Sequence, residues 1–287
     1  MKILVLGGTK FFGKKLVEKW IEAGEDVTIG TRGLSNDPFG DQVRRLTLDR
    51  SDLDSLQKAV GSETWDIVYD QIAYSSNDAW NAIDVFGDSI KKYVFTSSMS
   101  VYDQGEDLTE ERFNPFEYPL KTGNRDDFSY GEGKKLAEAV FFQKAPFPVT
   151  AVRFPIVMGE DDYTERLLFH VQHIQNGEAF YLPNLQAKLS FISSEEAAEF
   201  LFWTGTSPLR GPVNACAGGD ISLEELIRLI ESSTGNKAVV SNKKEEADAS
   251  PYGIPTSWTM DHSKASAAGF PFTQLRDWLP KLIEKLS

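Results

Sequence analysis

Apolar and polar positions follow two rhythms along the first half of the chain. Short runs rich in Ile, Leu and Val predict β-strands, and segments with apolar residues three or four apart predict helices. The predicted strands are the run that ends at Leu6, then 26–31, 45–48, 65–70, 92–98 and 149–154. The predicted helices with the clearest spacing cover 11–23 and about 130–144. Strands that alternate with helices in this way predict an α/β fold with a doubly wound parallel sheet.

The rhythm changes at two places. Residues 103–129 are rich in acids, Gly, Pro and Asn, and they predict a long irregular insertion of the kind that often forms a lid. Beyond residue 158 the pattern is mixed, with helices predicted near 162–176, 194–204, 222–233 and 273–286 and short strands between them. We therefore expect a Rossmann-type dinucleotide-binding domain over 1–158. A smaller mixed α/β substrate lobe over 159–287 is expected to interleave with the last strands of that domain.

The composition is that of an acidic globular protein. Hydrophobic residues make up 41% of the chain, charged residues 25%, and the net charge is −13. This charge disfavours nucleic acid as a partner, because such binding depends on Lys and Arg that neutralise phosphates. Cys216 is the only cysteine, which fits a reducing cytoplasm. The apolar run before Gly7 is too short for a signal-peptide core, and no run approaches the ~18 residues of a membrane span, so we expect a soluble cytoplasmic protein without a membrane partner.

A glycine-rich turn follows the first strand and leads directly into a helical pattern. Its glycines are Gly7, Gly8 and Gly13, a GGxxxxG variant of the usual GxGxxG fingerprint. Glycines at such a turn let backbone N–H groups approach a pyrophosphate, and the following helix adds its positive N-terminal end. The alternative is a turn that glycines tighten without any ligand. The predicted cofactor-binding residues here are Gly7, Gly8, Thr9, Lys10, Phe11, Phe12 and Gly13.

Tyr130 and Lys134 form the second candidate group. A separation of four residues places the phenol and the ammonium on one face of a helix. A free Tyr titrates near pH ~10, so proton transfer at neutral pH requires a shift of about three pKa units, or roughly 4 kcal/mol. One ammonium about 4 Å away, at an effective dielectric constant near 20, supplies an interaction of about this size. The alternative is a pair of ordinary surface side chains.

Hydroxyl side chains end the fifth strand, at the sheet edge where open α/β folds bind ligands. We choose Ser98 as the residue that meets a substrate oxygen, with Ser97 as the alternative. The other interpretation is that these hydroxyls satisfy local backbone groups.

Together, the glycine-rich turn, Ser98, the Tyr130 and Lys134 pair and the segment 153–159 resemble the extended short-chain dehydrogenase/reductases, a family that includes NAD-dependent epimerases and dehydratases. Segments 189–198 and 211–226 are also similar to this family. The GGxxxxG variant resembles its atypical subgroup, which contains uncharacterised reductases and chloroplast stem-loop RNA-binding proteins.

The resemblance implies a role for each residue. Tyr130 would exchange a proton with a substrate oxygen, Lys134 would lower the Tyr130 pKa and hold the nicotinamide ribose, and Ser98 would bind the reacting oxygen. Asn77 and Asn81 lie near the position of the family's proton-relay Asn, but neither aligns with it.

The end of the second strand bears on the choice of cofactor. An acid there suits the ribose 2′-hydroxyl of NAD, whereas a basic residue suits the 2′-phosphate of NADP. This chain has Thr31 and Arg32, so NADP is preferred and NAD remains open, because Arg32 can also stack on adenine or remain solvated. Asp49 matches the family's adenine-contacting Asp. The resemblance therefore adds Thr31, Arg32, Asp49, Tyr130 and Lys134 to the predicted cofactor-binding residues.

The predicted function is that of an NAD(P)-dependent oxidoreductase or epimerase acting on a hydroxyl or carbonyl carbon. The expected partner is a small molecule, with nucleotide-sugars as one class, and a second copy of the chain is an open expectation. The alternative is a non-catalytic NAD(P)-binding regulatory protein or an RNA-associated protein.

Other polar residues give weaker indications. His170 and His173 predict a polar helix face and no metal site, and the acidic run 106–111 predicts a solvated face. Arg166 and Lys188 are candidates for anion binding or for a solvated surface. We expect the remaining residues of interest, Cys216, Trp258, Phe270 and Trp278, to be buried in the core.

Overall fold

The computed structural model describes residues 1–241, 243–244 and 247–287. The strands are β1 (Lys2–Leu6), β2 (Asp26–Thr31), β3 (Arg44–Thr47), β4 (Trp65–Asp70), β5 (Ile90–Ser98), β6 (Gly105–Leu108), β7 (Val149–Phe154), β8 (Ile156–Met158), β9 (Ala179–Tyr181), β10 (Lys188–Leu189), β11 (Phe191–Ser193), β12 (Gly211–Asn214), β13 (Ile221–Ser222), β14 (Val239–Ser241), β15 (Asp248–Ala249) and β16 (Trp258–Met260). The helices are α1 (Phe11–Glu22), α2 (Leu53–Val60), α3 (Ser76–Phe86), α4 (Tyr130–Lys144), α5 (Arg166–Asn176), α6 (Ser194–Thr206), α7 (Leu223–Thr234), α8 (Ser263–Ala267) and α9 (Leu275–Leu286).

Seven parallel strands form the central sheet, in the order β12-β7-β5-β4-β1-β2-β3. β1 pairs with β2 on one side and with β4 on the other. The strand order reverses between β1 and β4, which is where doubly wound folds open a ligand crevice. The predicted doubly wound parallel sheet is confirmed.

Apolar layers cover both faces of this sheet. One buried cluster joins the sheet to α1 and α6, and it includes Trp20, Ile67 and Phe200. A second cluster joins the opposite face to α2, α3 and α4, and it includes Leu56, Phe86 and Phe141. Strands covered on both faces explain the near-continuous apolar runs of β1 and β4.

Side-chain caps define where several helices begin. The Ser75 hydroxyl accepts a hydrogen bond from Asp78 N at the start of α3, and the Asp78 carboxylate accepts one from Ser75 N. Ser129 caps α4 in the same position by accepting from Glu132 N. Each cap satisfies a backbone N–H that has no partner within its helix.

A smaller lobe of mixed structure lies beyond the central sheet, as expected. Its sheets have the orders β13-β10-β16-β6 and β14-β9-β15, and β11 pairs with β8. A third apolar cluster packs α5, α7 and α9 around Phe180 and Phe191. β12 and α6 come from beyond residue 158 yet belong to the large sheet layer. The domain boundary at 158 stays a prediction.

The insertion 103–129 is more ordered than its composition indicated. Its first part contains β6, which pairs in parallel with β16 of the smaller lobe. Its second part crosses the surface of α4, where the Gln143 side-chain amide donates to the carbonyl oxygens of Pro115 and Tyr118, each over 2.8 Å.

Some expectations for individual residues are wrong. Glu110 is only 6% exposed and accepts a hydrogen bond from Asn214 N, so the acidic run is not solvated throughout. His170 is buried and stacks on Tyr252 instead of lying on a polar face. Cys216 and Phe270 are buried as expected, and among the described residues no group of His, Cys, Asp and Glu has metal-binding geometry. None of the described helices combines the length and apolar character that crossing a bilayer requires.

Candidate active site

A cleft of about 990 Å³ lies at the carboxyl ends of the central strands, between the sheet and the smaller lobe. The glycine-rich turn lies along it, as do Ser98 and the start of α4. Arg166, Tyr252 and Trp258 of the smaller lobe also border it. Every residue predicted to bind cofactor or to act in catalysis borders this cleft except Gly13, which lies behind it in α1.

The glycine-rich turn requires glycine for two reasons. Gly7 and Gly8 have φ values of +99° and +86°, a backbone region that disfavours other residues. A Cβ atom at Gly13 would lie 2.1 Å from the Gln71 Oε1 atom, so a larger residue there would require the flexible Gln71 side chain to move. Lys10, the N-cap residue of α1, provides no side-chain cap. The first N–H groups of α1 therefore receive no hydrogen bond from the Lys10 side chain. These groups lie at the N-terminal end of the helix, which favours anions.

Five buried polar atoms of residues that border the cleft have no hydrogen-bond partner in the described part of the chain. They are the Gln71 Nε2, Thr96 Oγ1, Arg50 Nη1, Tyr252 Oη and Trp258 Nε1 atoms. Buried polar atoms are rarely left without partners, because each one costs about 1–3 kcal/mol. Their position beside one cleft indicates that a polar ligand completes this site.

Arg32 and Asp49 lie together at the far end of the cleft. The Asp49 carboxylate accepts hydrogen bonds from the Ser51 hydroxyl and the Ser51 N–H, and these bonds, together with the nearby Arg32 charge, lower the Asp49 pKa. Arg32 is exposed and makes no hydrogen bond or ion pair within the described ranges. This end of the cleft therefore offers both a carboxylate and an available guanidinium.

Two glycines allow the first turn of α4 to pack closely against neighbouring backbone. A Cβ at Gly131 would lie 2.4 Å from the Ser100 carbonyl oxygen, and one at Gly133 would lie 2.3 Å from the Tyr74 carbonyl oxygen. Both neighbours are backbone atoms, which cannot move aside as a flexible side chain can. The sequence Tyr130-Gly-Glu-Gly-Lys134 therefore brings the helix start, with its phenol and ammonium, close to the loops that follow β4 and β5.

The Tyr130 phenol lies next to Ser98 in the cleft. Tyr130 as a whole is 51% exposed, but protein surrounds its hydroxyl, and this desolvation raises the Tyr130 pKa. A hydrogen bond with the Ser98 side chain acts in the opposite direction. The expectation of a lowered Tyr130 pKa is therefore wrong for this structure, because burial outweighs the favourable contacts.

Lys134 is turned inward, which explains this result. Its ammonium donates to the carbonyl oxygens of Ala73 and Thr96, each over 2.7 Å, and lies 5.8 Å from the centre of the Tyr130 ring. Burial lowers the Lys134 pKa to about 7. Desolvation therefore opposes the charged form of Lys134, on which the expected lowering of the Tyr130 pKa depends.

The structure distinguishes the two candidate serines. The Ser97 hydroxyl donates to Glu138 over 2.5 Å, inside a buried network in which Glu138 also pairs with Arg153 at 2.6 Å. The Ser98 hydroxyl instead accepts from Ser100 N at the cleft. Both residues border the cleft, but the Ser97 hydroxyl is bonded to Glu138, whereas the Ser98 hydroxyl bonds only within its own turn and with Tyr130. The catalytic role of Ser98 stays a prediction.

Three other candidates, Asn77, Asn81 and Lys188, do not border the cleft. The Asn77 side chain bonds the Asn124 side chain, and Asn81 donates to the Ser51 carbonyl oxygen, so neither contacts Lys134. Lys188 lies 3.4 Å from Asp220 and does not border the cleft. Arg166 does border it.

Sequence reasoning missed several residues of the cleft. Tyr74, Gln71 and Arg125 lie in segments without helical or strand periodicity, so no pattern marked them. The buried ion pair between Glu138 of α4 and Arg153 of β7 was missed as well, because the two residues lie 15 positions apart in different elements and no local spacing joins them.

The sheet order and the glycine-rich turn at the strand-order reversal define a Rossmann-like doubly wound fold, in which ligands bind at this reversal. The sequence model of the NAD dependent epimerase/dehydratase family matches residues 3–86. Over these residues the chain is similar to this family.

Two solved structures show the extent of the similarity. The UDP-glucose 4-epimerase of Thermus thermophilus, solved as a complex with NAD, is 18% identical, and the match covers 100% of this chain and 99% of that one with a TM-score of 0.77. The UDP-glucose 4-epimerase of Thermotoga maritima, solved with UDP-glucose, is 17% identical over 99% of this chain and 98% of that one, also with a TM-score of 0.77. At these identities the similarity establishes the fold alone.

A curated relative gives a different functional comparison. It is a chloroplast stem-loop binding protein of 41 kDa from Arabidopsis thaliana, 29% identical over 204 residues, which are 66% of this chain and 50% of the relative. The chain thus spans about half the length of the curated relative it matches.

Proposed function

We propose that the protein is an NAD(P)-dependent oxidoreductase or epimerase that acts on a hydroxyl or carbonyl carbon of a small substrate, with Tyr130 as the acid/base group. The observation that carries this proposal is the shared cleft. Its glycine-rich end suits a pyrophosphate, and Ser98, Tyr130 and Lys134 meet at its other end.

The residues present fit a dinucleotide. Five unpartnered buried polar atoms belong to residues that border the cleft, and the glycines of the turn keep Cβ atoms out of it. The turn 7–13 would hold the pyrophosphate, Thr31, Arg32 and Asp49 the adenosine end, and Tyr130 and Lys134 the nicotinamide ribose. A bound nicotinamide supplies hydride transfer to or from the substrate carbon.

The protein's own groups would manage the proton. In the reducing direction the Tyr130 hydroxyl donates its proton to the substrate oxygen, and in the oxidising direction the phenolate takes a proton from the substrate hydroxyl. The Ser98 hydroxyl hydrogen-bonds the same oxygen and holds it toward Tyr130. The raised pKa of Tyr130 favours its protonated form, so the site as it stands is suited to donating a proton.

NADP is the proposed cofactor, and Arg32 is the reason. Its exposed guanidinium has no ion-pair partner in the described ranges and suits a 2′-phosphate, whereas the nearby Asp49 carboxylate already accepts two hydrogen bonds from Ser51. Nucleotide-sugars are one proposed substrate class, since the Thermotoga maritima epimerase was solved with UDP-glucose. A homodimer and a cytoplasmic location stay predictions.

The experiment begins with calorimetric titration of NADP⁺ and NAD⁺ into the purified protein. Turnover is then measured with UDP-hexoses and small carbonyl compounds for the wild type, Tyr130→Phe and the control Tyr181→Phe, which lies in β9 away from the cleft. We expect Tyr130→Phe to keep dinucleotide affinity and to lose at least about 100-fold in turnover, the range typical of general acid–base catalysis. No affinity for either dinucleotide would refute the proposal, as would unchanged turnover in Tyr130→Phe.

A non-catalytic RNA-associated protein is the second candidate, and the similarity to the stem-loop binding protein favours it. The net charge of −13 opposes it, because RNA affinity depends on basic residues. Salt-dependent binding of a stem-loop RNA, unaffected by Tyr130→Phe, would support this second candidate.

A further inference from the structure

The smaller lobe presents hydrogen-bond donors without partners to the cleft. Arg166 is the first residue of α5 and borders the cleft, and within the described ranges its guanidinium makes no hydrogen bond or ion pair. Tyr252 is 1% exposed, and neither its Oη atom nor the buried Nε1 atom of Trp258 has a partner in the described chain. Both residues border the cleft as well. Guanidinium and indole nitrogens only donate, so this wall suits a ligand that accepts hydrogen bonds.

The fold places these groups on one side of the cleft. The His170 ring stacks on the Tyr252 ring with 4.8 Å between ring centres, and the His170 Nδ1 atom lies 2.8 Å from the Arg166 carbonyl oxygen. A single histidine ring thus separates Tyr252 from the start of α5. Trp258 of β16 lies opposite Leu189 of β10, and both of these residues also border the cleft, so they extend the same wall.

Two charged groups act on the Tyr252 phenol. Burial raises the pKa of this phenol, the Asp162 carboxylate acts in the same direction, and the Arg166 guanidinium acts against both. The Asp162 Oδ1 atom accepts hydrogen bonds from the Thr164 N–H over 2.9 Å and from the Thr164 hydroxyl over 2.6 Å. The carboxylate is therefore partly occupied, whereas the guanidinium has its donors available for a ligand.

The start of α5 adds to the preference for an anion. This helix has 11 residues, and its N-cap residue Glu165 makes no side-chain hydrogen bond to it. The first N–H groups of a helix lie at its partially positive end, which favours anions. Lys188, the other basic residue that the sequence singled out in this lobe, lies 3.4 Å from Asp220 and does not border the cleft. Of the two, Arg166 is therefore the one that can meet a ligand there.

We propose that Arg166, Tyr252 and Trp258 form a substrate-binding wall that takes an anionic oxygen group of the substrate, a phosphate or a carboxylate. This inference rests on the proposed function, because the reacting carbon of that substrate would face Ser98 and Tyr130 on the sheet side of the cleft. It narrows the substrate class to anionic hydroxyl or carbonyl compounds. Arg166 supplies the charge and the other two residues supply directed donors, so uncharged compounds are poor ligands of this wall.

The test follows the indole N–H signal of Trp258 by NMR and requires no turnover. The tryptophans are isotopically labelled at the indole nitrogen, and the Trp258 signal is assigned by its loss in Trp258→Phe. The variants are Arg166→Met and Tyr252→Phe. Arg228→Met is the matched control, because Arg228 lies on α7 of the same lobe, pairs with Glu224 and does not border the cleft.

The probes distinguish the possible sources of the anionic group. Glycerol phosphate carries a phosphate monoester, lactate carries a carboxylate, and UDP carries a nucleoside diphosphate, while glycerol is the uncharged control. Each probe is titrated into protein saturated with NADP⁺ and into protein without a dinucleotide. The probe that binds most tightly identifies the anionic group that the wall prefers.

We expect at least one anionic probe to shift the Trp258 signal, and glycerol to leave it unchanged. Arg166→Met should lower the affinity for that probe at least about tenfold, the loss expected for a charge-assisted hydrogen bond. Tyr252→Phe should lower the affinity roughly fivefold. It should not lower the urea unfolding midpoint, because the hydroxyl that it removes has no partner in the described chain. Arg228→Met should change neither the affinity nor the Trp258 shift.

Two results would overturn the inference. One is that no anionic probe shifts the Trp258 signal, with or without NADP⁺. The other is that Arg166→Met and Tyr252→Phe bind the probes as tightly as the wild type does. The titrations without a dinucleotide do not depend on NADP⁺ binding. A failure here is therefore distinguishable from a failure of the proposed function, which dinucleotide affinity and the Tyr130→Phe variant report.

Discussion

His170 makes the stability of the smaller lobe depend on pH. Its imidazole is 1% exposed, its Nδ1 atom lies 2.8 Å from the Arg166 carbonyl oxygen, and its Nε2 atom lies 2.7 Å from the Ser250 hydroxyl. The carbonyl oxygen can only accept, so Nδ1 carries the proton and the Ser250 hydroxyl donates to Nε2. Burial of this neutral ring lowers the His170 pKa to about 4.

The magnitude follows from the two protonation states. The unfolded chain binds a proton at His170 near pH ~6.5, whereas the folded chain binds one only near pH 4, so the unfolded state binds more protons between these values. The free energy of unfolding therefore falls as the pH decreases through this window. The full loss of unfolding free energy from this group is about 3.4 kcal/mol. About 2.5 kcal/mol of it should occur between pH ~7.5 and pH ~4.5.

The assay is urea unfolding of the wild type and His170→Phe at both pH values. Phenylalanine keeps an aromatic ring next to Tyr252 but cannot titrate, and its lost hydrogen bonds cost a similar amount at each pH. Carboxylates elsewhere contribute equally to both proteins, so the difference between the two pH-dependent losses isolates His170. We expect the variant to lose about 2.5 kcal/mol less than the wild type. Equal losses in the two proteins would contradict the assignment of a buried neutral imidazole.

Three further predictions concern the site. Gly133→Ala places a Cβ atom 2.3 Å from the Tyr74 carbonyl oxygen, which should displace α4 by about 1 Å. Because such a displacement moves the groups of the site, turnover should fall roughly 100-fold. The control is Lys144→Ala at the exposed end of α4, which should leave turnover unchanged. Wild-type turnover in Gly133→Ala would show that the close approach is not required. Glu138→Gln leaves the buried Arg153 charge without its carboxylate, so urea unfolding should show a loss of about 3–5 kcal/mol, and a loss below ~1 kcal/mol would contradict this. Arg32→Glu should lower the affinity for NADP⁺ by at least about tenfold in calorimetry and change the affinity for NAD⁺ by less than about threefold. An equal loss of affinity for both cofactors would argue against a contact between Arg32 and the 2′-phosphate.

The sequence predicted the elements whose patterns are strong and local. The helix at Tyr130–Lys144 begins and ends where its pattern indicated, because Ser129 caps it and its buried residues recur at helical spacing. β12 was not predicted as a strand of the central sheet. It has only four residues and contains Pro212, which a sheet tolerates at an edge strand, and β12 lies at the edge.

The electrostatics of the site could not be predicted from spacing alone. Tyr130 and Lys134 share a face of α4, but the direction of the Lys134 side chain depends on carbonyl oxygens that follow β4 and lie within β5. These acceptors are about 40 to 60 residues away in the chain, and no local pattern reports them. Arg125 was missed for a related reason. Its position depends on contacts with α3, and the sequence of an irregular segment does not predict such contacts.

The anchoring of the insertion bears on how the site would work. β6 is paired with β16, Gln143 of α4 bonds two carbonyl oxygens of the insertion, and Asn77 of α3 holds its last part. A segment fixed at three places along its length need not close over a ligand to bring Arg125 to Tyr74. The insertion is therefore better understood as a fixed wall of the cleft than as the moving lid that its composition indicated.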